Sequence, residues 1–124
     1  MKLSDLISEL DLRVKTAAGN LDGEVTGGYA SDLVSDVLGN TRQGNVWITL
    51  QRHENIVAAA VMRGLVGIIL VGGREPEEET AERAETERIP ILVSDLPTFE
   101  LVGRLYQLGI RGERKKGATK GGAS

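Results

Sequence analysis

The sequence of 124 residues contains no cysteine and only one histidine, His53. Without cysteine, the chain cannot form a disulfide, use a thiolate nucleophile or bind zinc through sulfur. A single histidine argues against a multi-histidine metal site and against a histidine-rich catalytic centre. We therefore expect no metal and no cofactor. The length of 124 residues predicts one domain, and the apolar share of 40% predicts that this domain has a packed core.

Long apolar runs are also missing. The longest run, Leu65–Val71, is too short to span a bilayer. The first residues reach Asp5 and Glu9 before any apolar run of signal-peptide length. We therefore expect a soluble, cytoplasmic protein that does not bind membranes.

Positive charge is scarce outside the carboxyl-terminal end. Residues 111–124 contain five basic residues and one acidic residue, Glu113, so this segment carries a formal charge of +4. Because the whole chain carries −3, residues 1–110 carry −7. An acidic body lacks the basic face that nucleic acids require. We divide the chain into one α/β domain, residues 1–110, and a basic, glycine-rich, flexible tail, residues 111–124.

Apolar segments of strand length alternate with helical patterns along the chain. We predict strands at Leu12–Ala17, Glu24–Thr26, Val46–Leu50, Val66–Val71 and Ile89–Val93. The segment Val66–Val71 is apolar at every position, as in a central parallel strand that is covered on both faces. The pattern predicts a three-layer α/β/α sandwich with a mixed, mainly parallel sheet of about five strands. One of the first two strands is expected to pair antiparallel.

Five helices are predicted around these strands. They are Leu3–Leu10, a helix capped by Ser31 and ended by Gly39-Asn40, a helix from about Glu54 to Arg63, a helix with Pro76 at its first position, and a helix opened by Pro97. The second helix is expected to bury Leu33, Val34, Val37 and Leu38. The last is expected to bury Phe99, Val102, Leu105, Tyr106 and Leu108.

Ligands of open parallel sheets bind beyond the carboxyl ends of the strands, where loops and helix amino termini meet. Four loops are predicted to open on this edge, at residues 26–32, 49–55, 72–76 and 94–98. They contain the candidate ligand-binding residues Thr26, Gly27, Gly28, Tyr29, Ser31, Asp32, Thr49, Gln51, His53, Gly72, Gly73, Arg74 and Ser94.

Two features of these loops are suited to an anion. Backbone N–H groups at Gly27-Gly28 can approach an anion at a helix amino terminus, and the alternative is a tight strand-to-helix turn. Arg74 is suited to bidentate capture of a phosphate or carboxylate. The alternative for Arg74 is a surface ion pair with Glu75 or Glu78.

Catalytic motifs are missing from the sequence. Neither G-x-x-x-x-G-K-[ST] nor G-x-G-x-x-G occurs. Ser31, His53 and Asp95 compose a triad, but no nucleophile elbow G-x-S-x-G accompanies it. His53 could act as a general base or contact a ligand; more commonly, a single loop histidine caps a helix or packs at the surface. We therefore predict no catalytic residue.

Several segments together resemble stand-alone bacterial DRTGG-domain proteins: VTGGYASDLVSDVL (25–38), VWITLQRHENIVAAAV (46–61), GREPEEET (73–80) and IPILVSDLPTFELVGRLYQLGI (89–110). Such domains are similar to the amino-terminal domain of HPr kinase/phosphorylase and to a regulatory region of long phosphotransacetylases. The resemblance implies a three-layer α/β/α fold and a regulatory or ligand-binding module, usually dimeric or larger, without established catalytic residues. The full motif Asp-Arg-Thr-Gly-Gly is absent, and only Thr26-Gly27-Gly28 is retained.

The leading hypothesis is a non-catalytic regulatory or sensor domain that binds a small anionic metabolite or nucleotide at the carboxyl edge of its sheet. The alternative is a protein-interaction module that regulates a partner enzyme or kinase without a small ligand. A third hypothesis, a small hydrolase or transferase that uses His53, has less support. A homodimer is expected under each, because a small domain gains by burying an apolar helix face.

Overall fold

The predicted alternation of helices and strands is present in the computed structural model, which describes residues 1–113. The strands are β1 (Arg13–Val14), β2 (Gly27–Ala30), β3 (Asn45–Thr49), β4 (Gly67–Leu70) and β5 (Ile91–Val93). The helices are α1 (Leu3–Leu10), α2 (Val34–Asn40), α3 (Asn55–Arg63), α4 (Glu78–Glu87) and α5 (Thr98–Gln107).

The five strands form one sheet in the order β1-β5-β4-β3-β2. Neighbours among β2 to β5 are parallel. The short β1 pairs antiparallel with β5, with Arg13 opposite Val93. The predicted mixed, mainly parallel sheet of five strands is therefore confirmed, as is the antiparallel pairing of one of the first two strands.

The helices lie on both faces of the sheet. From β2 to β5 the chain advances in one direction, so right-handed crossovers place α2, α3 and α4 on the same face. Their apolar side chains pack on Trp47 and Ile68, whereas α1 and α5 pack on Val46 and Ile69 of the same two strands. Successive residues of β3 and β4 thus enter opposite cores, which explains why these strands are apolar throughout. The predicted three-layer architecture is confirmed.

The second predicted strand was placed too early. The segment Gly23–Val25 pairs with the amino terminus, because Leu3 N donates to Gly23 O at 2.9 Å and Val25 N donates to Met1 O at 2.9 Å. The sheet strand begins only at Gly27, whose register partner is Asn45. Gly27-Gly28 therefore begins a strand and does not form the predicted strand-to-helix turn.

Helix boundaries and burial also differ from prediction. α2 begins at Val34 and not at Ser31, and Leu33 is 63% exposed. α4 begins at Glu78, so Pro76 precedes the helix cap, where Glu77 is still extended. Both helices start late because hydrogen bonds hold the loops before them against the loop that follows β3.

The last helix buries a different face from the one predicted. Leu101 and Leu105, one helical turn apart, face the sheet, so Phe99 and Tyr106 point outward with exposures of 88% and 57%. Val102 and Leu108 are partly buried. Residues 111–113, which we assigned to the tail, lie beside β2, and the remainder of that predicted tail, 114–124, lies outside the described residues.

Candidate functional site

The carboxyl edge of the sheet brings together nine of the thirteen candidate residues. They follow β2 (Ser31, Asp32), end or follow β3 (Thr49, Gln51, His53), follow β4 (Gly72, Gly73, Arg74) and follow β5 (Ser94). In open parallel sheets, the binding crevice forms where the strand order reverses. Here β2, β3, β4 and β5 follow one another without a reversal.

Asp32 ties the loop after β2 to the end of β3. Its Oδ1 accepts hydrogen bonds from the Thr49 hydroxyl at 2.9 Å and from Leu50 N at 2.8 Å. Gln51 Nε2 in turn donates to Asp32 O at 2.8 Å. Residues 31–33 therefore stay outside the helix, and α2 starts only at Val34. Asp32 lies outside α2, so it does not share a helix face with Asp36.

The other loops of this edge are tied in the same way. Arg52 Nε donates to Glu75 O, and the Thr80 hydroxyl donates to Arg52 O at 2.7 Å. Gly72 N donates to Leu96 O and Gly73 N to Ser94 O, both at 2.8 Å. The backbone donors of the Gly72-Gly73 turn are thus occupied by the neighbouring loop.

A group of exposed ion pairs closes the β1 side of this edge. Lys15 Nζ lies 2.8 Å from one oxygen of Glu75, and Arg13 bridges Glu75 at 3.6 Å and Asp95 at 2.9 Å. The hydrogen bond from Lys15 lowers the pKa of the Glu75 carboxyl. The hydrogen bond to Asp95 raises the pKa of Arg13. Glu75 therefore pairs with Lys15 and Arg13 and not with Arg74, and no ion pair within residues 1–113 includes Arg74.

The structure does not bring Ser31, His53 and Asp95 together as a catalytic triad. Ser31 and Asp95 follow β2 and β5, which are three strand spacings or about 14 Å apart. Ser31 Oγ accepts from Leu33 N at 3.2 Å, and Asp95 pairs with Arg13. His53 is exposed. The buried Ser94 uses its Oγ locally, accepting from Leu96 N at 3.1 Å.

Thr26, Gly27 and Gly28 lie at the opposite, amino-terminal edge of the sheet. The Thr26 hydroxyl donates to Gln43 O at 2.8 Å and accepts from Asn45 Nδ2 at 3.1 Å. Gly28 N donates to Arg111 O at 2.9 Å. The expectation that these residues adjoin the other loops and present free amides to an anion is therefore wrong, because the amino terminus already pairs with Gly23–Val25 and moves β2 along the chain.

A cavity of about 440 Å³ opens at this amino-terminal edge. Its wall comes from β2, from the end of α2 and the loop that follows it, from the end of α3 and from the segment beside β2. The lining residues are Tyr29, Gly39, Asn40, Thr41, Arg42, Arg63 and Glu113. Among the described residues, two arginines thus share this cavity with one lining carboxylate.

Arg63 is the more enclosed of the two arginines. Its Nη2 donates to Thr41 O. Its Nε is buried and has no hydrogen-bond partner among the described residues. A buried donor without a partner is costly. An oxygen-rich ligand in the cavity could accept a hydrogen bond from this guanidinium.

Tyr29 forms another part of the cavity wall. Its hydroxyl lies 2.9 Å from both carboxylate oxygens of Asp36, and Asn40 Nδ2 donates to Asp36 Oδ1 at 2.8 Å. Burial, followed by the hydrogen bond to Asp36, raises the pKa of the Tyr29 hydroxyl. The tyrosine therefore stays protonated at neutral pH and contributes a fixed polar wall.

Sequence reasoning missed most residues of this cavity, among them Asn40, Arg42, Arg63 and Glu113. The usable signal was the polar segment 39–44, in which Arg42 precedes a buried strand, together with Arg63 at the end of α3. Both arginines lie on connections that lead into strands and therefore meet at the amino edge.

No group of three or more acidic or histidine side chains suited to a metal ion occurs in residues 1–113. Over the same range, every helix is too short or too polar to cross a membrane.

Comparison with known proteins defines the class of this α/β domain. The family model described as the DRTGG domain matches residues 15–108. The chain belongs to the DRTGG domain family. None of the curated proteins matches the chain.

A solved structure has the same fold. It is the crystal structure of the CBS and DRTGG domains of the regulatory region of Clostridium perfringens pyrophosphatase, complexed with its activator diadenosine tetraphosphate. The TM-score is 0.65 at 15% sequence identity, and the match covers 82% of this chain and 44% of that chain. The present chain thus spans less than half of the neighbour.

Proposed function

We propose that this chain is a non-catalytic regulatory domain of the bacterial cytoplasm that binds a small anionic metabolite, with phosphate-bearing nucleotides as the ligand class. The observation that supports it best is the cavity lined by Arg42 and Arg63. Planar guanidinium groups bind phosphate and carboxylate oxygens in bidentate fashion. The volume of about 440 Å³ is within the range of small-molecule sites.

The family supports the regulatory part of the proposal. The pyrophosphatase neighbour is a regulatory region, and it was crystallised with a nucleotide activator. A sensor domain needs a ligand site and a structural response but no reactive centre. The separation of Ser31 from Asp95 agrees with that requirement.

The carboxyl edge remains a second candidate position for the anion. Arg74 and His53 are both exposed there. However, the amides of Ser31, Gly72 and Gly73 donate to backbone carbonyls. An anion at this edge would thus depend on Arg74 and His53 without the expected backbone donors.

Binding titrations of matched arginine variants test the proposal. ATP and inorganic phosphate are titrated by calorimetry, at constant ionic strength, into wild type, Arg42→Gln, Arg63→Lys and Arg74→Gln. We expect ATP to bind wild type and Arg74→Gln equally, and to bind Arg42→Gln about tenfold more weakly, the loss expected for one charge-assisted hydrogen bond. Arg63→Lys keeps the charge but removes the planar fork, so it should also bind more weakly. Loss of binding in Arg74→Gln alone would move the site to the carboxyl edge, and no binding by wild type would refute the proposal.

A second candidate function, a protein-interaction module, is favoured by α5. Phe99, Gly103 and Tyr106 recur at helical spacing and form an exposed, outward-facing row, the α5 stripe. Phe99 is 88% exposed, and a Cβ added at Gly103 would meet nothing within 4 Å. In an antiparallel pair of α5 helices related by a two-fold axis near Gly103, Phe99 would lie opposite Tyr106 of the other copy. We propose a homodimer through this stripe, and a partner enzyme could use the same surface.

A further inference from the structure

The Glu113 carboxylate lies where an anionic ligand of the cavity would bind. Its Oε2 accepts from Asn45 Nδ2 at 3.1 Å, and its Oε1 lies 3.4 Å from Arg42 Nε. Its side chain is 24% exposed, and it lines the same cavity as Arg63. The Glu113 carboxylate is thus already paired with Arg42, one of the two arginines of the cavity.

Glu113 is joined to a short segment that extends the sheet. Gly28 N donates to Arg111 O at 2.9 Å, and Gly28 forms a parallel bridge with Gly112. A Cβ built at Gly27 would lie 2.9 Å from Arg111 O and 3.0 Å from Glu113 Oε2. The absence of a side chain at Gly27 therefore lets the segment and its carboxylate lie close to β2. Movement of the Glu113 side chain and backbone would disturb the bond between Gly28 and Arg111.

The contact between Glu113 and Arg42 is of a kind that a ligand can replace. The Arg42 side chain is 65% exposed, and exposed ion pairs contribute little to stability. A phosphate group carries more charge than a carboxylate and offers several acceptor oxygens to Arg42 and Arg63 together. The two anions would repel each other in one small cavity.

We infer that Glu113 is an internal competitor for the cavity, and that an anionic ligand displaces it and releases residues 111–113 from β2. This inference rests on the proposed function and adds a way in which ligand binding at the cavity is regulated. Occupancy of the cavity would be transmitted to the carboxyl-terminal end of the chain, through the hydrogen bond between Gly28 and Arg111. The device needs no change in the buried core.

The test compares wild type with Glu113→Gln, using ATP as the probe at constant ionic strength. Glutamine keeps an oxygen that can accept from Asn45 but removes the competing charge. Glu87→Gln, an exposed change on α4, controls for the loss of one negative charge, and thermal melting confirms that each variant folds. We expect ATP to bind Glu113→Gln at least about threefold more tightly than wild type, the scale of an exposed ion pair, and Glu87→Gln to bind as wild type does.

Amide hydrogen exchange at Gly28 supplies the structural readout. At saturating ATP, the Gly28 amide of wild type should exchange about tenfold or more faster, because its acceptor Arg111 O leaves. The amide of Ile68, which donates to Pro90 O at 2.9 Å, serves as the unaffected reference. ATP binding with equal affinity to wild type and Glu113→Gln, or with Gly28 still protected, would overturn the inference while leaving the proposed function intact. ATP binding to neither protein would refute both, and binding to Glu113→Gln alone would support the competitor role.

Discussion

Arg63 Nη2 donates a hydrogen bond to the backbone carbonyl of Thr41. This bond joins the end of α3 to the loop that follows α2, so two connections leading into neighbouring parallel strands form one wall. Arg63 lines a cavity together with Arg42, and its buried Nε has no hydrogen-bond partner among the described residues. These two arginines are the basis of the proposed anion site at the amino edge of the sheet.

Replacement of Asp32 tests whether this residue is structural. Asp32→Ala removes the acceptor of the Thr49 hydroxyl, which is buried with 1% exposure, and of Leu50 N. We expect the free energy of unfolding, measured by urea denaturation, to fall by about 1–2 kcal/mol. Asp32→Asn keeps an acceptor oxygen and should lose less. Equal stability of wild type and Asp32→Ala would contradict the structural role.

Gly27 is predicted to be intolerant of a methyl group. The Cβ of Gly27→Ala would lie 2.9 Å from Arg111 O, so residues 111–113 must move away from β2. We expect a loss of about 1–2 kcal/mol in unfolding free energy. The matched control is Gly19→Ala, whose Cβ meets nothing within 4 Å and should change stability by less than about 0.5 kcal/mol. Similar effects of the two substitutions would show that the close approach at Gly27 is unimportant.

The ion pairs of Glu75 predict a dependence of stability on pH. The pKa of Glu75 is lowered in the folded protein, chiefly by its hydrogen bond from Lys15. The folded state therefore binds a proton less readily than the unfolded state, and stability from this group is present at neutral pH and is lost as the pH falls from about 5 towards 3. Because Glu75 is 47% exposed, solvent screening limits the effect to less than about 1 kcal/mol.

Comparison with a glutamine variant isolates that contribution. Glu75→Gln should be slightly less stable than wild type at pH 7, and the difference should disappear near pH 3. Chemical denaturation at several pH values measures both proteins. A difference that grows as the pH falls would contradict the sign of the pKa shift.

The proposed homodimer depends on the α5 stripe. Phe99→Gln should shift the mass measured by light scattering from dimer towards monomer, because the substitution removes the most exposed apolar side chain of the stripe. Met62→Gln is the matched control, since Met62 is 71% exposed on α3, which covers the other face of the sheet. A wild-type monomer, or a Phe99→Gln dimer as stable as the wild type, would exclude this interface.

The sheet and its layers could be predicted because their signals are local. The segment Val66–Val71 is apolar at every position, and Leu3–Leu10 has one apolar face; both segments form the expected elements. The start of β2 could not be placed, because it depends on long-range pairing between Met1 and Val25. The burial of Leu105 was predicted correctly, but local pattern could not show that Leu101, and not Phe99, faces the sheet with it.

The candidate site was harder to predict than the fold. The carboxyl-edge rule correctly gathered the loops that contain His53 and Arg74, but it assumes a crevice that this strand order does not create. Arg42 and Arg63 stand far apart in sequence and meet only when α2 and α3 pack side by side. Glu113 was assigned to the tail on the charge and glycine-rich composition of residues 111–124, although its carboxylate contacts Asn45.

Mapping of the ligand by NMR chemical shifts tests the central claim most directly. ATP is titrated into ¹⁵N-labelled wild type at constant ionic strength. We predict that the largest shifts occur at Asn40, Arg42, Arg63 and Glu113, around the cavity at the amino edge, with little change at His53 and Arg74. Shifts concentrated at His53 and Arg74, or no shifts at millimolar ATP, would contradict the assignment of an anion site to this cavity.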